Sequence, residues 1–416
     1  MPRYIVIVGT LDTKGDQLAY IKEKIEAEGQ PTCVIDIGVV GDAPFRATCN
    51  RRQVARAAGT SIEKILAMNN RRAGLEKMGE GAANITKKLF SKGELAGVLA
   101  AGGSQGTAVA LQIMKAVPLG VPKLVLSTIA YSPVITPETV GGDDLMMLPW
   151  VAGLWGLNSL SRRSLETAAA AISGAARAYN AYNKKRVTTK KIAGVSSLGA
   201  AVNRYMADLK PALEGRGYEV AVFHVLGMPG RMFERAISDG LISFSLDLSV
   251  GVELLNEVTG GVYTAGEHRL EAAGRMGIPQ IVSPGAIEVF HWGKDRPFPA
   301  KYEDRPRTWH SGLHMAVRSN AREMAAVGAL MAEKLNLAKG PVAVVLPLQG
   351  SGPLSRGPLS PDEAALESEK GWAGFRRNIR RKLKPEIKYM ELDVTFNDPL
   401  YTKTVLGLFD EMVKEG

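Results

Sequence analysis

The chain has 416 residues, a formal net charge of +10, 45% hydrophobic residues and 23% charged residues. That length exceeds one ordinary core, so two domains are expected, and the composition is that of a soluble globular protein. No apolar run is long enough to span a bilayer, the N-terminus lacks a signal-peptide pattern, and Cys33 and Cys49 alone give neither a disulfide framework nor zinc spacing, so a cytoplasmic protein is expected.

The basic excess collects at Lys184-Lys185-Arg186, at Lys190-Lys191 and between Arg376 and Lys384. No aromatic-interleaved nucleic-acid motif accompanies it, so these runs read as solvated surface, with neither nucleic acid nor membrane as partner.

Tyr4-Ile5-Val6-Ile7-Val8 reads as a strand buried on both faces. From Asp16 the spacing of Leu18, Ile21 and Ile25 suits an amphipathic helix. Between them lies Gly9-Thr10-Leu11-Asp12-Thr13-Lys14-Gly15. In a doubly wound sheet such a turn opens onto the ligand crevice at the carboxyl ends of the strands. Gly9 permits close backbone approach, and the helix start offers N–H groups to an anion. Asp12, Thr13 and Lys14 add a carboxylate, a hydroxyl and an ammonium. The spacing matches neither a Walker A loop, since Lys14 precedes Gly15, nor the dinucleotide fingerprint. A tight turn N-capped by Asp12 or Thr13 would use the same residues.

Thr32 to Ile37 reads as the second strand, with Asp36 placed to meet a ribose hydroxyl, although an Asp at a strand end is common. A loop over 41–50 and helical patterns at Arg52–Ala58, Ser61–Met68 and Leu75–Phe90 lead to the buried strand Leu95–Ala101. That strand runs into Gly102-Gly103-Ser104-Gln105-Gly106-Thr107 and then a helix. Such a loop offers consecutive N–H groups and hydroxyls to a phosphate, or serves as turn chemistry where helix and strand pack closely. Two loops of this kind in one sheet favour a nucleotide.

The strand Lys123–Leu126 ends in Ser127-Thr128, whose hydroxyls would face the same crevice. Further on, Asp143-Asp144 suit either magnesium beside a phosphate or a helix N-cap. The Ala-rich helical pattern from Asn158 to Tyr182 suits close packing or a subunit contact.

The polar run after it reads as a linker. The expected fold is α/β with two Rossmann-like domains, each a mainly parallel sheet flanked by helices. The N-terminal domain covers 1–183, the linker 184–190 and the C-terminal domain 191–416. In the second domain, strands are expected at 192–195, 219–224, 241–247, 278–282, 342–346 and 387–392, with helices at 200–213 and 400–413. His224, Arg231 and Asp247 fall at or after strand ends; Glu288, His291, His310 and Arg318 follow. Arg231, after Gly230, suits a carboxylate or phosphate by its planar fork. His310 and His314 are four apart, but Gly312 intervenes and no third ligand is evident, which argues against a metal there. No nucleophile elbow is present, and Gly350 to Pro361 reads as a loop.

The G-T-L-D-T-K-G stretch followed by A-G-G-S-Q-G-T resembles the ATP-binding family named after a tomato mosaic virus resistance protein, whose microbial members were long an uncharacterised family. The resemblance extends through Gly156-Leu157-Asn158 with Ser161-Arg162-Arg163, Gly227 to Glu234, Arg269-Leu270-Glu271-Ala272-Ala273, Gly277 to Ala286, and Asn397-Asp398-Pro399. It implies two Rossmann-like domains, Mg-ATP in the first and a homodimer or larger homo-oligomer. This chain departs from the pattern at Gly153, where an Asp is expected, and around Asp247, Leu359 to Ala364 and Thr395.

The expectation is therefore an ATP-dependent enzyme acting on a small carboxylated or phosphorylated metabolite at an interdomain cleft. Residues 9–14, Asp36, Gly102 to Thr107, Ser127 and Thr128 would hold the nucleotide, Asp143 and Asp144 the magnesium, and Arg231, Asp247 and His291 the chemistry. The alternatives are a non-catalytic nucleotide-binding regulator and a dinucleotide enzyme, the latter weakened by the missing fingerprint.

Overall fold

A computed structural model describes residues 2–185, 190–199, 204–350 and 361–415. Most of the expected linker (186–189), the loop at 351–360 and the start of the helix expected at 200 lie outside the described residues. The chain divides into two compact units, Met1–Thr188 and Thr189–Gly416.

In the first unit the strands are β1 (Tyr4–Gly9), β2 (Thr32–Asp36), β3 (Leu95–Gly102), β4 (Lys123–Ser127) and β5 (Met146–Pro149). The helices are α1 (Leu11–Ala27), α2 (Arg51–Ala57), α3 (Ile62–Ala67), α4 (Arg71–Ser91), α5 (Ser104–Met114), α6 (Pro137–Val140) and α7 (Ser159–Lys185). The sheet is parallel throughout, in the order β2-β1-β3-β4-β5.

Alternation along β1 divides the core. Ile5 and Ile7 pack with Leu18, Ile21 and Ile25 of α1 and Leu165 of α7. Val6 and Val8 pack with Val54 of α2, Met78 of α4 and Val109 of α5. Each fully buried aliphatic side chain contributes roughly 1.5–3 kcal/mol. Covering both faces is what an all-parallel sheet requires. With α1 on one face and α5 on the other, the strand order reverses direction between β1 and β3, and a crevice opens there at the carboxyl edge.

The second unit has β6 (Ile192–Ser197), β7 (Glu219–His224), β8 (Phe244–Asp247), β9 (Gln280–Val282), β10 (Val289–Gly293), β11 (Arg307–Trp309), β12 (His314–Arg318), β13 (Val342–Pro347) and β14 (Lys388–Leu392). Its helices are α8 (Met206–Gly215), α9 (Met228–Ser238), α10 (Gly251–Thr259), α11 (Ala272–Met276), α12 (Ala321–Leu335), α13 (Pro361–Lys382) and α14 (Pro399–Glu415). A parallel sheet runs β14-β13-β9-β8-β6-β7, and a small antiparallel sheet runs β10-β12-β11. The small sheet, α10, α11 and α12 are additions to the expected elements. The α12 boundary is set by a capping box between Asn320 and Glu323.

The centre of the second unit is a buried ion cluster. Arg269, 1% exposed, donates from Nη1 to Glu234 at 2.9 Å, from Nη2 to Asp247 at 2.8 Å and from Nε to Glu253 at 2.5 Å; its Nη1 also reaches the second Asp247 oxygen. Glu234 accepts the N–H groups of Leu270 and Ala272, both at 2.7 Å, and Glu253 that of Gly227 at 2.8 Å. One guanidinium thus ties β8, α9 and α10 together. Truncating it would leave three buried carboxylates without their counter-charge, a loss of roughly 3–5 kcal/mol. Burial pushes the Glu253 carboxyl up to about 7, against the pull of Arg269 and with a further push from Asp247. A carboxyl raised in the folded state gives stability that is full below its unfolded value and is lost as pH rises through about 7. Wild-type protein is therefore expected to lose about 1 kcal/mol between pH 6 and pH 8 relative to Glu253→Gln. Urea unfolding of both proteins at the two pH values measures that difference.

Candidate functional site

The register of the first sheet aligns the residues at its carboxyl edge. Gly9 pairs with Asp36, and Gly102 with Ser127, so the ends of β2, β1, β3 and β4 form one row. The two glycine-containing stretches follow β1 and β3 and flank the point where the strand order reverses.

The first of these stretches differs from the expected loop. Helix α1 begins at Leu11 rather than near Asp16, and Lys14 departs from helical geometry inside it. The Leu11 N–H donates to Asp36 Oδ1 at 3.2 Å, and Gly38 N–H donates to the same oxygen at 2.9 Å. Burial raises the Asp36 carboxyl. Asp12 accepts from Val40 N–H at 2.7 Å and Gly41 N–H at 3.2 Å. Thr10 and Thr13 share a hydroxyl hydrogen bond of 2.7 Å. Lys14 Nζ donates to the Gly153 carbonyl at 2.9 Å and to the Leu154 carbonyl, and burial lowers its pKa. These residues hold α1, the loop after β2 and the segment at 153–154 together. Gly9 is set by packing, since a Cβ there would lie 2.6 Å from Leu18 Cδ1. Gly153, where the resemblance implies an Asp, faces Trp150, whose Cγ would be 2.2 Å from an added Cβ.

The second stretch is more open. Helix α5 starts at Ser104 with Gly103 as its N-cap; no side chain caps it, and its first turn holds no acidic residue. Its first N–H groups are therefore left to solvent or a ligand, where the helix dipole favours negative charge. Thr107 Oγ1 and Ser127 Oγ are buried and bonded at 2.6 Å, and Ile129 N–H donates to Ser127 Oγ at 3.1 Å. They position the loop from beneath, while Ser104 and Gln105 are exposed. Thr128 N–H donates to the Gly102 carbonyl at 3.2 Å, and its Oγ1 would be 3.7 Å from a Cβ on Gly103. From Ser104 and Gln105 a cleft of about 730 Å³ extends between α4 and α5, lined also by Arg72, Leu75 and Gln112 and by the carboxylates of Glu76 and Glu80, which pair with Arg72 and Lys77. That volume lies in the range of small-molecule sites.

Asp143 and Asp144 are not brought to this edge. Asp144 pairs with the buried Lys123 Nζ at 2.5 Å and accepts Gly120 N–H at 2.7 Å. Lys123 opens β4 and Ser127 closes it, so the acidic pair lies at the opposite end, about 13 Å away at the usual rise per residue. Among the described residues no group of three or more His, Cys, Asp or Glu is arranged to hold a metal.

In the second unit, Asp247 is 2% exposed and held by Arg269, which makes it part of the ion cluster. Arg231, in the first turn of α9, lies against Gly266, where an added Cβ would be 2.7 Å from Nη1. His291 sits on β10, with the rings of Tyr263 and His314 at 5.1 and 5.3 Å. Tyr263 carries no local sequence signal, whereas Glu234 and Arg269 fall in stretches that carry the resemblance, Gly227 to Glu234 and Arg269 to Ala273.

Two doubly wound α/β units define the class of the protein, and comparison with known proteins gives its family. The model of the UPF0261 N-terminal domain, an uncharacterised protein family, matches residues 3–181, and that of the C-terminal domain matches residues 190–413. The chain belongs to the UPF0261 family. It is 36% identical over 414 residues to a UPF0261 protein of Brucella suis, covering 99% of this chain and 96% of that protein. A UPF0261 protein of Clostridium tetani is 35% identical over 400 residues, 96% of each chain. The ToMV susceptible protein tm-1(GCR26) of Solanum lycopersicum is 29% identical over 363 residues, 83% of this chain and 48% of that protein.

The two adjacent glycines differ in what they tolerate. A Cβ on Gly102 would lie 2.7 Å from the Gly106 Cα, backbone that moves only with α5. One on Gly103 meets only Thr128 Oγ1. Gly102→Ala is expected to destabilise the protein by about 2 kcal/mol, and Gly103→Ala to leave stability within about 0.5 kcal/mol. Denaturant midpoints of the two variants check both values.

Proposed function

We propose that the first unit binds a nucleoside triphosphate, ATP, and that the chain is an ATP-dependent enzyme acting on a small carboxylated or phosphorylated metabolite. The observation that carries this reading is the uncapped start of α5, at the point where strand order reverses and at the mouth of the cleft. The α5 end suits a phosphate better than the α1 end. Asp36 already accepts the first α1 N–H, and Asp12 places a second carboxylate in that turn, whereas the two carboxylates of the α5 cleft, Glu76 and Glu80, are paired with Arg72 and Lys77. In this reading Ser104 to Gly106 hold the phosphates through backbone N–H groups, Ser104 adds a hydroxyl, and the nucleoside lies in the cleft. Magnesium would offset the phosphate charge there, and Asp143 and Asp144, at the opposite end of β4, would not hold it.

The regulator alternative draws support from the commitment of Asp247 to the ion cluster, which removes one expected catalytic group. Multiple-turnover consumption of ATP in the presence of candidate acids separates an enzyme from a binding protein.

Calorimetric titration with ATP, with and without magnesium, tests the site itself. One-site binding is expected. Gly103→Asp supplies the missing N-cap carboxylate and so occupies the N–H groups a phosphate would use. It is expected to fold with unchanged stability and to lose at least tenfold in ATP affinity, which corresponds to about 1.4 kcal/mol. Unchanged affinity in this variant would exclude α5 as the phosphate site.

A further inference from the structure

We infer that the second unit carries an oxyanion site, built from Tyr263, His291, His310 and His314, for the carboxylate or phosphoryl group of a small molecule. His291 and His314 come from adjacent strands of the small sheet, where Gly293 pairs with His314, and each is 8% exposed. Their ring centroids are 5.3 Å apart. His310 is exposed, with its ring 5.2 Å from His314 and 6.4 Å from His291. The Tyr263 ring is 5.1 Å from both buried rings. The cluster thus runs from the interior to the surface.

Two of its ring nitrogens, His291 Nδ1 and His314 Nε2, are buried and have no hydrogen-bond partner among the described residues. A buried polar atom left unpaired costs about 1–3 kcal/mol, so an added partner is favoured.

The local hydrogen bonds indicate what kind. Ser311 Oγ accepts the Leu313 N–H at 3.2 Å and lies 3.1 Å from His314 Nδ1; Tyr263 Oη lies 3.0 Å from the same nitrogen. Giving a hydroxyl hydrogen to Nδ1 makes that nitrogen the acceptor and leaves the ring hydrogen on Nε2. In that tautomer Nε2–H asks for an oxygen acceptor; in the other, with the hydrogen on Nδ1 and donated to a hydroxyl, Nε2 takes the hydrogen of a protonated acid group, and among the described residues no group of three or more His, Cys, Asp or Glu is arranged to hold a metal. The rings packed around His291 are those of Tyr263, His310 and His314. Burial foremost, and then the two neighbouring histidines, lower His291 to about 3, so the ring is neutral and acts through hydrogen bonds.

The site adjoins the carboxyl edge of the large sheet. A Cβ on Gly227, where α9 begins, would lie 3.4 Å from the Tyr263 Cα, and Arg231 rests on Gly266 three residues further along. The inference gives chemical form to the metabolite half of the reading above and does not require the nucleotide half.

The test uses full-length Gly103→Asp protein, in which the α5 site is blocked, titrated calorimetrically at pH 7 with inorganic phosphate and separately with succinate. One-site binding of at least one anion is expected, weakened about tenfold or more in His291→Gln and His314→Gln, the loss for one hydrogen bond to a charged group. The arm that binds distinguishes phosphoryl from carboxylate. No binding in either arm, equal affinity in the histidine variants, or stoichiometric Zn²⁺ binding that His314→Gln abolishes would each overturn the inference. If the variants fail to fold, ¹⁵N ring resonances of the histidine-intact protein decide: anion-dependent shifts at His314 Nε2 and His291 Nδ1 support the site, and unchanged shifts refute it.

Discussion

A parallel sheet must be covered on both faces, and the first unit is organised by that requirement. Ile5 and Ile7 demand one layer of helices and Val6 and Val8 the other. The chain meets both demands by sending α1 to one side of β1 and α5 to the other side of β3. The crevice between them is a consequence of packing. Any chain with this strand order would have it, and its contents come from the particular residues at the strand ends.

Those residues divide into two kinds. After β1 the polar groups bond to one another and to neighbouring backbone: Asp36 to Leu11 and Gly38, Asp12 to Val40 and Gly41, Lys14 to the carbonyls of Gly153 and Leu154. Asp12 Oδ1 is the exception, buried and without a hydrogen-bond partner among the described residues. After β3, Gly102 and Gly106 let strand and helix come close, Thr107 and Ser127 brace the turn, and α5 begins with no cap. The second arrangement leaves backbone N–H groups unused at the edge of a cleft.

Much of the fold was legible in the sequence because buried parallel strands are continuous apolar runs and their turns are rich in glycine. β1 and β3 stand out for that reason. The small antiparallel sheet did not, because His291, Thr308 and Ala316 alternate with no apolar pattern and are brought together only by tertiary pairing. The two glycine stretches looked equivalent in the sequence. What separates them is the set of partners each acquires on folding, and such partners as Val40 and Gly153 are distant in the chain. Asp143 and Asp144 lie away from that edge for a related reason: adjacency to a ligand edge depends on which end of β4 they approach, and the register of β4 with β5 places them at the start.

The two units treat charge in opposite ways at corresponding edges. In the second unit, three carboxylates converge on one guanidinium beneath the carboxyl edge, and Glu253 lies so deep that its ionisation is held back. An anion approaching that centre would meet a surplus of negative charge. The imidazoles of His291 and His314 stand on a separate element, the small sheet, and pack against Tyr263 near that edge. In the reading proposed above, a negatively charged ligand of the second unit lies at the small sheet and not at the point where strand order reverses. In the first unit that point itself remains open.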